Sequence, residues 1–234
     1  RPQREGPWTR IGLVVGNVQS GKTANYAGLI NKAIDAGYRI IAVLAGTQNS
    51  LRSQTQLRLD HDVIGIDTSR EEEGTGDRIG VGIINPNLTI TSLTNRIEHG
   101  DFSHIVDVDP RGSDPIVLVI KKNATILRRL KRWIDKYAVP VDSSSKQKHI
   151  ADCPLLVIDD EADNASVDSN APNYDEVDES ARQADPTRIN GLIRKILKLF
   201  DKRSYVAYTA TPFRALKITL SPGYYAQLVA PQAV

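Results

Sequence analysis

An α/β fold with a mostly parallel central sheet and helices on both faces, a three-layer sandwich, is the fold class the sequence predicts, and three observations predict it. Short apolar runs recur without the polar alternation of a half-exposed strand: Ile11-Gly12-Leu13-Val14-Val15, Ile116-Val117-Leu118-Val119-Ile120 and Leu155-Leu156-Val157-Ile158. A strand covered on both faces needs such runs. Between them lie segments whose apolar residues recur at helical spacing, so strand and helix alternate as parallel crossovers require. Residues able to do chemistry cluster directly after the strand candidates, at Gly16 to Thr23, Asp159 to Asp163 and Thr209 to Thr211, at the carboxyl edge where open parallel sheets bind ligands.

In chain order, the first strand covers Ile11 to Val15, and a helix over Thr23 to Ala36 places Ala27, Ile30, Ala33 and Ile34 on one side. Arg39 to Leu44 forms a strand, and Ser50 caps a helix running to Asp60 with Leu51, Leu57 and Leu59 as its buried positions. Gly65 to Pro115 holds short strand-like pieces with compressed spacing. After the strand Pro115 to Ile120, Asn123 caps a basic helix to Tyr137 that buries Ile126, Leu127, Leu130 and Ile134. Asn164 to Asp185 is rich in Asp, Glu, Ser and Asn without an apolar period and reads as an exposed acidic insertion, 164–185. Asp185 as cap and Pro186 in the first turn open a helix to Asp201, followed by the strand Ser204 to Tyr208.

Gly16-Asn17-Val18-Gln19-Ser20-Gly21-Lys22-Thr23 fits the phosphate-binding loop pattern G-x-x-x-x-G-K-[ST] between a strand and a helix. The glycines let successive N–H groups face a triphosphate, to which the helix amino terminus adds its positive dipole end. Lys22 reaches the terminal phosphates. Thr23 offers a hydroxyl to Mg2+, which accepts only one or two protein oxygens. The cofactors expected are therefore ATP and Mg2+.

Asp160, in the acidic cluster after the Leu155 strand, is the expected second magnesium partner, and Glu161 is placed to orient or deprotonate the attacking water. Thr209-Ala210-Thr211 is a turn whose two hydroxyls can bond the acids of a neighbouring strand end, relaying the state of the nucleotide. This reading requires the pocket ahead of Lys22 and the acidic tip to meet across adjoining edges of one sheet. Lys121 and Lys122, at a strand's carboxyl end, are candidates for a phosphate backbone, as is the basic helix that follows.

Taken in order, the GNVQSGKT loop, the Asp160-Glu161-Ala162-Asp163 cluster and Thr209-Ala210-Thr211 resemble motifs I, II and III of the first RecA-like motor domain of superfamily 2 helicases. Leu44-Ala45-Gly46-Thr47, Leu51-Arg52-Ser53-Gln54-Thr55, Lys121-Lys122-Asn123 and Tyr208 to Phe213 sharpen this to a resemblance to the Z-one domain family, bacterial helicase-like ATPase domains that carry an endonuclease label. The resemblance runs from about Ile11 to Phe213 and implies a P-loop NTPase of RecA-like fold. It places Thr47 and Arg52 where related motors touch a nucleic-acid backbone, DNA rather than RNA, and gives Asp163 and Thr211 the coupling of the second motif to the third. It also implies a second RecA-like domain in a full-length chain, a nuclease partner or domain, and a role in DNA processing or phage defence. Two departures are a missing separate adenine-recognition glutamine, although Gln3 and Trp8 lie nearby, and a loss of match after Phe213.

The 234 residues, 40% of them hydrophobic, suit one domain, 1–234, with a large core. A net charge of +2 gives no global electrostatic case for nucleic acid, so any such surface is local. One cysteine, Cys153, excludes an internal disulfide and fits the cytoplasm. No run is long enough to span a bilayer, and the first seven residues lack a signal-peptide core, so no membrane association is expected. The sequence has no methionine, as expected of a piece of a longer protein.

Other chemistries lack their residues. Val119-Ile120-Lys121 has the lysine of a restriction-type nuclease strand without its acid, and His61, His99, His104 and His149 do not fall at zinc spacing with Cys153. A nucleophile elbow G-x-S-x-G is missing as well. The reading is a motor ATPase acting on nucleic acid. Its rivals are a nucleotide-dependent switch that regulates a partner nuclease without translocating, and a small-molecule kinase, which would leave Ala162-Asp163 and the Thr-Ala-Thr turn without a role.

Overall fold

The structure, a computed structural model, describes residues 4–16, 21–69, 76–97, 99–103, 107–141, 147–163, 186–211 and 226–229. Gln3, Asn17, Val18, Gln19, Ser20 and the expected acidic insertion 164–185 lie outside them.

The chain runs β1 (Trp8–Val15), α1 (Lys22–Asp35), β2 (Ile40–Ala45), α2 (Asn49–Leu59) continued by a π-helical turn (Asp60–Ile64), α3 (Val81–Ile84), β3 (Thr91–Ser92), β4 (Ile116–Ile120) and α4 (Ala124–Tyr137). A small antiparallel pair, β5 (Val139–Pro140) and β6 (Lys148–His149), precedes β7 (Leu155–Asp160), α5 (Pro186–Lys198), β8 (Lys202–Thr209) and β9 (Ala226–Val229). The main sheet has seven strands in the order β3-β4-β2-β7-β8-β1-β9. Every pairing in it is parallel. This is the expected α/β class, a parallel sheet with helices on both faces.

Side chains alternate across the sheet and build two cores. Leu13, Leu44, Leu118, Leu155, Val157 and Tyr205 face α4 and α5, which bring Leu127, Leu130, Ile134, Ile189, Ile193 and Ile196. Ile41, Val43, Val119, Leu156, Ile158 and Tyr208 face α1 and the π-helical turn, with Tyr26, Ala27, Ile30, Val63 and Ile64. β2, β4 and all but the last residue of β7 are buried on both faces, which is why they are written as continuous apolar runs. Asn123 caps α4 as expected, its side chain accepting from Thr125 N and Ile126 N. Cys153 is buried, donates to Pro110 O at 3.2 Å, and has its thiol pushed up to about 12 by burial.

Two expectations are corrected. Of the three leucines expected to be buried on α2, Leu59 is, but Leu51 is half-buried and Leu57 is 44% exposed, and the helix buries the polar Arg52, Thr55 and Gln56 instead. The helix starts at Asn49, so Ser50 is not its cap. Beyond Phe213, where no element was expected, β9 pairs with β1 from Ile11↔Ala226 to Val14↔Val229 and forms that edge of the sheet.

Registers set the functional edge. Val15 pairs with Thr209, Ala45 with Asp160, Leu44 with Ile120 and Asp159 with Ala207, so β1, β2, β4, β7 and β8 all end together. β1 and β7 are not direct neighbours, because β8 lies between them.

Candidate functional site

At the end of β1, Gly16 N donates to Thr209 O at 3.0 Å, tying the start of the glycine loop to the end of β8. Gly21 opens α1 with φ +73 and has open space around the position of a Cβ, so the backbone conformation rather than crowding calls for glycine. Lys22 reaches back to the end of β1, its Nζ donating to Gly16 O at 3.2 Å. Thr23 follows in the first turn, half-buried.

The acidic tip of β7 separates its carboxylates by parity. Asp159 shares the α4/α5 face with Leu155 and Val157, whereas Asp160 shares the α1 face with Leu156 and Ile158. Asp159 is fully buried, pairs with Lys122 Nζ at 2.7 Å and accepts from the Tyr205 hydroxyl. Asp160 lies beside α1, accepting from Tyr26 Oη at 3.3 Å and from Glu161 N at 3.0 Å. Its pKa is raised, chiefly by burial, against the pull of Lys122 and with a further push from Glu161. Tyr26 stacks edge-on against Tyr208 at 5.4 Å, and the Tyr208 hydroxyl donates to Asn25 Oδ1 at 2.8 Å. Burial, then the charge of Asp160, raises the pKa of both phenols.

Glu161 is exposed and has φ +53, turning the chain out of the strand. Asp163 accepts from Thr209 Oγ1 at 2.8 Å and Thr211 Oγ1 at 2.5 Å, while Thr211 N donates to Thr209 Oγ1 at 2.9 Å. Burial raises the Asp163 pKa, but the two hydroxyls outweigh it and hold the carboxyl below the ordinary range.

Of these groups Gly21, Thr23, Asp160 and Glu161 meet in one cleft of about 390 Å³, lined also by Gly46 and Gln54, with Arg58 on its wall; Lys22, Asp163, Thr209 and Thr211 do not line it. That volume is in the range of small-molecule sites. A smaller cavity of about 100 Å³ lies under α5 toward the amino ends of β1 and β8, away from these residues. Gly46 has φ +60, and a Cβ there would stand 3.1 Å from Leu51 Cδ1 and 3.6 Å from Glu161 Oε2, so glycine keeps this wall open.

Two of the four residues expected at a nucleic-acid backbone are corrected. Arg52 has no exposed surface, and its guanidinium donates to Asn95 O at 2.7 Å, Ile97 O at 2.8 Å and Gly100 O at 3.3 Å, organising the loop before β4. Lys122 is likewise buried, held by Asp159 and by Glu161 O at 2.5 Å. Both cations serve internal carbonyls or carboxylates, so neither reaches a polymer. Thr47 and Lys121 are half-buried at the carboxyl edge. On α4, Lys131 pairs with Asp135 and Lys136 with Asp107, while Arg128 and Arg132 stay exposed.

Sequence reading missed Tyr26, Tyr208, Tyr205 and Asp159 as parts of the site. Strand parity could have separated Asp159 from Asp160, since alternate residues of a strand face opposite layers. The tyrosines carry no local signal. Among the described residues, no group of three or more His, Cys, Asp or Glu could hold a metal by itself, and no helix is long and apolar enough to cross a membrane.

No protein-family model matches the sequence. No curated protein matches it either. Among solved structures, the chain is similar to one described as the crystal structure of the Pyrococcus furiosus Hef helicase domain, at 15% identity and a TM-score of 0.48. The match covers 94% of this chain and 35% of that one, so the chain spans about a third of that structure's length.

Proposed function

We propose that this chain is an ATP-binding and ATP-hydrolysing, helicase-like motor domain that acts on nucleic acid. The observation that carries the reading is the single cleft shared by Thr23, at the start of the helix behind the glycine loop, and Asp160 with Glu161 at the acidic strand tip. Gly16, Asn17, Val18, Gln19, Ser20, Gly21, Lys22 and Thr23 form the phosphate-binding segment, its backbone amides and the α1 dipole neutralising anionic oxygens.

A divalent cation fits the donor set, because magnesium takes one or two protein oxygens and completes its shell with phosphate and water. Thr23 and Asp160 hold it, and when bound it neutralises charge on the phosphate oxygens of ATP. Glu161, exposed in the cleft, orients the attacking water and accepts its proton. Asp163, bonded to Thr209 and Thr211, links the acidic tip to the end of β8, whose Thr209 carbonyl also receives Gly16 N. Loop, acids and hydroxyl turn thus form one connected unit.

By resemblance to the Z-one family, the full-length protein adds a second RecA-like domain that closes over the nucleotide. It processes DNA or acts in phage defence in the bacterial cytoplasm, with a nuclease as partner or neighbouring domain. The burial of Arg52 and Lys122 favours a second reading, since it leaves Thr47 and Lys121 to meet a polymer at this edge. In that reading the chain is a nucleotide-dependent switch that regulates a nuclease without translocating.

Replacing Glu161 by Gln tests the first reading: nucleotide binding is retained and turnover abolished, and undiminished hydrolysis would remove the assigned base. Single- and double-stranded DNA separate the two readings. Stimulation of hydrolysis in the longer protein marks a motor, and an unchanged rate marks a switch. This chain alone turns over slowly, because an arginine from the second domain is worth several orders of magnitude in related NTPases. Comparable turnover with and without that domain would contradict the requirement.

A further inference from the structure

The buried ion pair under the acidic tip is not used by the chemistry proposed above, and its geometry gives it a task. Lys122 continues the parity of Ile116, Leu118 and Ile120 and so enters the α4/α5 layer, where Asp159 lies. Both side chains are 0% exposed. Asp159 balances the ammonium at 2.7 Å and is itself oriented by the Tyr205 hydroxyl. A further donor of the ammonium goes to the carbonyl of Glu161 at 2.5 Å, and the Lys122 backbone N donates to Gly46 O at 2.7 Å.

The peptide between Glu161 and Ala162 is therefore gripped at both ends. Its C=O accepts from Lys122 Nζ, and its N–H, on Ala162, donates to Tyr208 O at 2.9 Å. Glu161 is one of only two non-glycine residues with positive φ among those described, at +53, a conformation that persists only where the surroundings over-determine it. Here the surroundings are a cation on one side and a strand carbonyl on the other. With that peptide fixed, the Glu161 side chain lines the cleft, its Oε2 beside Gly46.

We infer that Lys122 is the positioning residue of Glu161: balanced by Asp159, it locks the Glu161–Ala162 peptide and thereby aims the Glu161 carboxylate into the nucleotide cleft. The inference rests on the reading of Glu161 as the base. A buried ion pair by itself adds little stability over apolar residues of similar volume, whereas removal of one partner strands a charge. A role in aiming Glu161 explains why the charges sit here.

The test replaces the pair together, Lys122→Met with Asp159→Leu, so that no buried charge is orphaned. The double variant is expected to fold, with a melting temperature lowered by at most a few degrees because the buried Tyr205 hydroxyl loses its acceptor, and to bind ATP with an affinity within about threefold of the wild type. Its single-turnover hydrolysis is expected to fall by about 10- to 100-fold, the scale of a misplaced catalytic group. Adding Glu161→Gln to it should then cost far less than in the wild type, because the two changes disable the same function. Three results would overturn the inference: a folded double variant that hydrolyses at the wild-type rate, an undiminished effect of Glu161→Gln in that background, or loss of the fold, which would assign the pair to stability. Failure of the underlying reading looks different. It shows as a wild-type chain whose hydrolysis is absent or indifferent to Glu161→Gln, and the inference then falls with it.

Discussion

Thr209 donates its hydroxyl to Asp163 at 2.8 Å, joining the end of β8 to the last acid of the cluster after β7, and Thr211 occupies the other carboxylate oxygen at 2.5 Å. The pair of hydroxyls reverses the effect of burial on this acid and keeps it ionised.

Because the folded pKa of Asp163 is depressed, its contribution to stability is present above the unfolded value of 3.8 and is lost as pH falls through the lower folded value. Thr209→Val with Thr211→Val removes both hydroxyl donors, the two largest influences that oppose burial, and leaves only a backbone hydrogen bond and the charge of Lys122 against it. The expected outcome is an Asp163 pKa raised above its wild-type value in a carboxyl NMR titration, with acid unfolding beginning at higher pH. An unchanged titration would show that the hydroxyls do not hold the charge.

Asp160 has the opposite sign. Its folded pKa is raised, so the stability linked to it is full at low pH and declines as pH rises through the folded value, where an ionised carboxylate must stay half-buried. Asp160→Asn keeps an acceptor for Tyr26 and Glu161 N without the charge. At pH 7 its melting temperature should rise by about 2–4 °C without ligand, a common trade at functional acids. Magnesium-dependent ATP binding should be lost, as read by calorimetry with and without the metal.

Arg52 and Lys121 should separate stability from polymer binding. Arg52→Ala leaves Asn95 O without its donor, takes a second donor from Ile97 O and Gly100 O, which keep Gly100 N and Asn95 N, and empties a buried space, so it is expected to cost about 2–4 kcal/mol, read by urea unfolding. Lys121→Ala should leave the melting temperature unchanged and, if the carboxyl edge meets a nucleic-acid backbone, reduce the salt dependence of DNA binding by about one counterion. Equal loss of stability in both variants would contradict the division.

Gly46→Ala puts a side chain on a backbone at φ +60 and a Cβ 3.1 Å from Leu51 Cδ1. A destabilisation of about 1 kcal/mol is expected from the left-handed conformation alone, measured as a fall of a few degrees in melting temperature. A stability equal to the wild type would mean that the β2 turn relaxes freely.

The sequence by itself determined the layers and much of the edge. Runs such as Ile116 to Ile120 and Leu155 to Ile158 are apolar throughout because both faces of a parallel strand are covered, and Asn123 and the apolar period after it mark α4 because capping and helical burial are local. The same logic placed the glycine loop, Asp160, Glu161 and Thr209 at strand ends. What lies beside what came from long-range packing: β8 runs between β1 and β7, β9 is the edge strand beside β1, and Asp159 faces Lys122 while Asp160 faces Tyr26. The same packing decided that Arg52 and Lys122 belong to the interior. Periodicity reports how deeply a residue is buried, but a buried charge is set by its partner, and the carbonyls of Asn95 and Ile97 and the carboxylate of Asp159 come from elements more than thirty residues away in sequence.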